Sequence, residues 1–104
     1  MLVTTADVVP GARIQLLGLV RGNIVTSKNV GRDLMAGFKA MAGGEIKTYT
    51  DMTNEARHIA EQRMVEQAQA MGADAIVAMR FSSETVVDGA TEMLAYGTAV
   101  KFVQ

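Results

Sequence analysis

No cysteine occurs anywhere in the chain. That absence excludes a disulfide framework, a thiolate nucleophile and a thiolate metal centre, and it fits a reducing compartment. Tryptophan is missing too, and proline and histidine occur once each, as Pro10 and His58. With a single imidazole there is little to activate a hydroxyl nucleophile, and Ser27, Ser82 and Ser83 lie in no strand–turn–helix nucleophile motif. An excess of either charge is lacking: 10 Lys and Arg against 11 Asp and Glu leave a net charge of −1. Without a basic patch or a polybasic run, neither a nucleic acid nor an anionic membrane is the expected partner. No apolar run approaches the roughly 20 residues that span a bilayer. The N-terminal stretch MLVTTADVVPG lacks the basic region and long apolar core of a secretory signal. Phosphate-cradling loops are absent as well, since GLVRGN and GGEIKT match neither known glycine spacing. The expectation is a soluble, cytoplasmic protein that is not an enzyme and carries no cofactor.

What is present is a globular pattern. Of 104 residues, 49% are apolar and 20% charged, which predicts one domain over 1–104 with a modest core. MLVTT is a short β-prone start that ends at the turn signal Pro10-Gly11. RIQLLGLVRGNIVTS (13–27) is dense in branched residues and predicts a strand, with Gly18 and Gly22 marking a bulge or a close backbone approach. Ser27 or Asn29 can cap a helix carrying Val30, Leu34, Phe38 and Met41 at helical spacing, stopped by Gly43-Gly44. A longer helix is predicted from about 45 to 71. Tyr49, Met52, Ala56, Ile59, Ala60, Met64 and Ala68 recur along it every three or four residues, and Gly72 closes it. Two strands follow, joined at the hairpin signal Asp88-Gly89.

The order β-α-α-β-β predicts an α+β subunit, an antiparallel sheet covered by two helices. Both faces of its strands read as apolar. Leu17, Leu19, Ile76, Ala78, Met93, Ala95 and Ala99 are assigned to a second face, where an antiparallel sheet packed on one side would be polar. Small apolar residues there, together with unpaired sheet edges, predict burial against further copies of the chain, a homo-oligomer.

Few residues cluster as chemistry would require. Glu55-Ala-Arg-His58 places a carboxylate and an imidazole on one helix face, as in bundle di-iron sites, but such sites need a second motif and further carboxylates. On the helical wheel His58 points away from the apolar stripe, so no metal ligand is assigned. Arg32 and Asp33 in the first helix, with Tyr49 and Arg57 in the second, form the candidate ligand-binding set near the Gly43-Gly44 break, because guanidinium groups recognise carboxylate or phosphate. An Arg–Asp pair holding two helices together, with Tyr49 packed between them, is the structural alternative.

The segments GLVRGNIV, NVGRDLMAGFKAMAGGEIKTYT, EARHIAEQRMVEQAQAMGADAIVAMRF and YGTAVK together resemble the YbjQ-like family of small bacterial and archaeal proteins, over nearly the whole chain and in the same order. The resemblance implies a ring-shaped homo-oligomer, typically a pentamer, whose strands build a central barrel in a dodecin-like layout. It also implies a heavy-metal-binding label, which a chain without cysteine and with one outward histidine does little to explain. The function expected is binding of a small ligand or metal ion at subunit interfaces. The alternative is a structural or interaction module without a ligand.

Overall fold

The computed structural model describes residues 1–27 and 47–104. They form β1 (Leu2–Val3), β2 (Arg13–Ser27), α1 (Lys47–Ala70), β3 (Ala75–Val87) and β4 (Ala90–Val103). The helix expected after Ser27, and with it Arg32, Asp33 and the Gly43-Gly44 break, lies outside the described residues. The class is α+β as expected. The sheet, however, is mixed and not purely antiparallel. Its order is β1-β3-β4-β2, with β1 running parallel to β3 and every other pairing antiparallel. A strand of two residues gives little sequence signal, and parallel pairing follows from where the chain enters.

The helix forms where its apolar periodicity is strongest. Ala56, Ala60, Met64 and Ala68 recur at four-residue spacing and are all buried against the sheet. Three of those four are alanines, which lets the helix backbone come close. Gly22 on β2 is the complementary device: a Cβ there would run into the Ala60 carbonyl and the Met64 amide, and would sit 2.7 Å from the Arg63 Cβ. The helix ends in a Schellman arrangement. Gly72 takes φ 78°, its amide donates to the Gln69 carbonyl at 3.0 Å, and the Ala73 amide donates to the Ala68 carbonyl at 3.0 Å.

The helix covers one sheet face, which carries Val20, Ile24, Ile76, Met79, Met93, Ala95 and Ala99. Here the expected second face needs correction. Ile76, Met93, Ala95 and Ala99 are fully or nearly buried beneath the chain's own helix and do not await another copy. The reason is pairing: Met93 and Ala95 pair with Ile24 and Gly22 on the side of β2 that α1 covers, and Ile76 pairs with Ala99 on that same side; on β3 a bulge then changes the alternation as well. Pairing of β3 with β4 slips between Val77 and Arg80, and Ala78 adopts φ 52°. Because side chains alternate with period two, one extra residue moves Met79 and Phe81 to the helix side, whereas Val77 stays on the outer side. A similar slip lies between Leu16 and Gly18 on β2, as its glycine suggested.

On the outer face, Ala75, Val77 and Val100 are buried, with Val9 of the N-terminal segment and Ile14 of β2 packed against them. Beyond that small cluster, Leu16, Leu19, Val25, Tyr96 and Phe102 remain exposed. Leu19 is 64% and Leu16 is 69% accessible, so this face carries the apolar surface that the helix does not cover.

The two sheet edges differ. Along β2 the helix reaches over the side: Gln67 Oε1 accepts from the Arg21 amide at 2.7 Å, and Arg63 Nη1 donates to the Asn23 carbonyl at 2.7 Å. Along β3 the N-terminal segment supplies partners only at the start. The Ala78 amide donates to the Ala6 carbonyl at 2.7 Å, the Met79 amide to the Thr4 carbonyl at 3.0 Å, and Arg80 Nη1 to the Thr5 carbonyl at 3.0 Å.

Candidate functional site

One cavity of about 450 Å³ opens between the first turns of α1 and the far ends of the strands. Its floor is apolar: Met52, Ala56 and Met93. Its rim is hydroxylic: Thr26 and Ser27 from β2, Tyr49 and Thr53 from α1, Ser83 and Thr85 from β3, and Thr91 from β4. The hairpin Asp88-Gly89-Ala90 completes it, and Asp88 is the charged side chain among the described lining residues.

The elements place these groups by simple periodicity. On the helix, Tyr49, Met52, Thr53 and Ala56 stand at i, i+3, i+4 and i+7, one face. On β3 and β4 the pairs Ser83↔Met93 and Thr85↔Thr91 put alternate residues on the helix side. Part of the rim is locally committed. Thr53 Oγ1 donates to the Thr50 carbonyl at 3.0 Å, and Thr26 Oγ1 to the Thr91 carbonyl at 3.4 Å. A size within the few hundred cubic ångströms of ordinary ligand pockets, an apolar floor and a few polar rim groups suit a small, largely apolar molecule carrying hydroxyl or carbonyl groups. Among the described lining residues none pairs a nucleophile with a base.

Of the four candidate residues, Tyr49 lines this cavity. Arg57 is exposed, is not part of the lining, and donates from Nη1 to Asn54 Oδ1 at 2.8 Å within its own helix. Arg32 and Asp33 lie outside the described residues. His58 is exposed on the helix, as its wheel position suggested. The hydroxyl rim on the strands was missed by the sequence reading. Its signal was available in FSSET and VTS, where Ser83, Thr85 and Thr26 fall on the helix side of otherwise apolar strands, but which side Ser83 and Thr85 take depends on the β3 bulge.

A family model described as "Putative heavy-metal-binding" matches residues 1–103. The chain belongs to this family, the YbjQ-like proteins. It is similar along its whole length to a UPF0145 protein of Vibrio parahaemolyticus, with 58% identity over 105 residues and 100% of both chains covered. A UPF0145 protein of Thermotoga maritima is 56% identical over 102 residues, covering 97% of this chain and 96% of its own. Among solved structures, a protein of unknown function of the DUF74 family from Pediococcus pentosaceus shares the fold, with TM-score 0.70 at 18% identity and 99% of this chain and 98% of that one covered.

The family's description invites a test against the residues present. Soft heavy metals take thiolate, thioether and imidazole donors. The sequence holds no cysteine, and among the described residues no group of three or more His, Cys, Asp or Glu comes together. Met52 and Met93 both reach the cavity, but Met93 is packed into the core cluster beside Met64 and Ala95. The described residues do not fit a heavy-metal centre. Among them, no helix is long and apolar enough to cross a membrane.

Proposed function

We propose that the chain is a non-enzymatic, cytoplasmic subunit of a ring-shaped homo-oligomer, a pentamer with a central barrel, that takes a small ligand in the hydroxyl-rimmed cavity beside Tyr49. The exposed apolar row Leu16, Leu19, Val25, Tyr96 and Phe102 on the uncovered sheet face carries the oligomeric part of this reading. Leu16, Leu19, Tyr96 and Phe102 stand on neighbouring rungs of β2 and β4, with Val25 farther along beyond Arg21 and Asn23, and large apolar patches are uncommon on monomers. The cavity's apolar floor and the side chain of Tyr49 support the ligand part. In this reading Arg57, one turn from Thr53, and Arg32 would contact an acidic group extending from the cavity, and Asp33 a hydroxyl or cationic group of the ligand. The measurement is light scattering at micromolar concentration, paired with a thermal-shift screen of small hydroxylated and carboxylated compounds against wild type and Tyr49→Ala. A monomeric mass sinks the proposal. A compound that shifts wild type but not Tyr49→Ala supports it.

The second reading is a structural module without a ligand, favoured by the Arg57–Asn54 hydrogen bond, which engages the guanidinium inside its own helix. It predicts that Arg57→Ala lowers the melting temperature of the assembly slightly and alters the response to no compound.

A further inference from the structure

We infer that the bulge at Ala78–Arg80 is a receptor for extended main chain, which binds three successive carbonyl oxygens. The N-terminal segment, residues 1–12, occupies it within the same chain and leaves it without unfolding of the sheet, and an extended peptide then takes its place. The inference rests neither on the Tyr49 cavity nor on the oligomeric reading.

Three consecutive residues of the bulge meet three consecutive carbonyls. The Met79 amide donates to the Thr4 carbonyl at 3.0 Å, Arg80 Nη1 to the Thr5 carbonyl at 3.0 Å, and the Ala78 amide to the Ala6 carbonyl at 2.7 Å. In a regular strand successive amides point to opposite sides, so a neighbour meets only every second one. Here the left-handed Ala78, with φ 52°, turns two adjacent amides toward the same segment. A residue with a Cβ is strained in that conformation, and strain that a fold retains points to a use. The Arg80 guanidinium is held from its own strand as well, because Nη1 also donates to the Met79 carbonyl at 2.8 Å.

All three donors read main chain. Selectivity comes from apolar anchors on either side. Val3 packs on the helix-side cluster, and Val9 packs on Ala75, Val77 and Val100 of the outer face. The segment therefore crosses the β3 edge from one face to the other at the bulge. Within it the Ala6 amide donates to Thr4 Oγ1 at 3.1 Å, a local turn that presents the three carbonyls together. Main-chain bonds for affinity, with pockets for particular side chains, are how proteins recognise extended peptides. The ligand class is an extended peptide with an aliphatic residue three places after its last bound carbonyl, as Val9 follows Ala6.

The segment is separable because little of it is buried. Leu2 is 47% and Val8 63% accessible, and β1 pairs with β3 over two residues. Segments with few buried apolar contacts open at a lower free energy than the whole domain. Opening frees the Ala78 and Met79 amides, whereas β4 stays bonded between β3 and β2.

The test is amide hydrogen exchange of the full chain. In the wild type the Ala78 and Met79 amides are expected to exchange about tenfold faster, or more, than β4 amides such as that of Ala95. Equal rates overturn the inference, because the segment then opens only with the sheet. In Val9→Asp, which removes the outer anchor, exchange at 78 and 79 rises further and β4 is unchanged. A synthetic peptide of residues 1–10 at about 1 mM, near the effective concentration of a tethered segment, then slows both amides again. The same peptide carrying Val9→Asp does not. A folded Val9→Asp in which the wild-type peptide slows neither amide overturns the receptor. Where Val9→Asp fails to fold, Arg80→Ala takes its place. Losing one hydrogen bond speeds exchange at 78 and 79 by about two- to tenfold, and an unchanged rate there overturns the inference.

Discussion

At the scale of single residues, two glycines and one alanine decide the local geometry. Gly22 leaves room for the helix backbone, and a Cβ would meet two main-chain atoms and the Arg63 Cβ, none of which can swing aside. Gly22→Ala is therefore expected to cost about 1–3 kcal/mol or more, as overpacking does. Urea denaturation at fixed protein concentration reads this as a lower midpoint, and an unchanged midpoint would show that the helix can ride outward at no cost. Gly72 holds the left-handed position of the helix cap, where a side chain costs roughly 1–2 kcal/mol. Ala78 is the reverse case. It occupies a similar left-handed conformation with a Cβ, so Ala78→Gly should be neutral or stabilising by up to about 1 kcal/mol in the same assay. A clear loss of stability in Ala78→Gly would mean that the Cβ packs usefully at the bulge.

At the scale of elements, the α1–β2 contact is the main joint between helix and sheet. Met64 is fully buried in it, and Met64→Ala should cost about 2–5 kcal/mol, measured by chemical denaturation. The exposed links over the β2 edge are weaker. Arg63→Ala removes a hydrogen bond to the Asn23 carbonyl that water can replace, so its effect should stay near 0.5–1.5 kcal/mol. The helix stripe was legible in the sequence because alanines and Met64 repeat at four-residue spacing over several turns. The hairpin was legible from Asp88-Gly89, which join β3 to β4 as expected. On β4 the alternation was legible, since Met93, Ala95 and Ala99 alternate cleanly with Leu94 and Tyr96, but the side the helix covers was assigned the wrong way round. On β3 the alternation itself was not legible. The bulge at Ala78 inserts a residue that no glycine or proline announces, and it reverses the alternation on one side of it.

At the scale of the whole molecule, the described structure measures 58 × 27 × 17 Å, a flat and elongated two-layer unit. A sheet covered on one face and open on the other exposes a large area for its mass, which is why the oligomeric proposal is tested first by mass and only then by ligand. High salt should not dissociate the assembly if the apolar row of Leu16, Leu19 and Tyr96 holds it, because hydrophobic contacts are strengthened or left unchanged where charge pairs are screened. Dissociation in 1 M sodium chloride, read by light scattering, would assign the contact to charges such as Arg21, Arg80 and Glu84 instead. The candidate site was legible only in part. Tyr49 could be named because it stands near the Gly43-Gly44 break, at the start of the long helix. The remaining rim comes from β2, β3 and β4, residues far apart in sequence whose meeting depends on strand register.

The sequence by itself determined the α+β class, the long helix, the hairpin and the family, because each rests on short-range periodicity, turn chemistry or an ordered set of motifs. Only the tertiary structure decided which sheet face the helix buries and which hydroxyls share a cavity with Tyr49. Those outcomes depend on a bulge and on strand order, and a shift of one residue in pairing reverses every side chain beyond it.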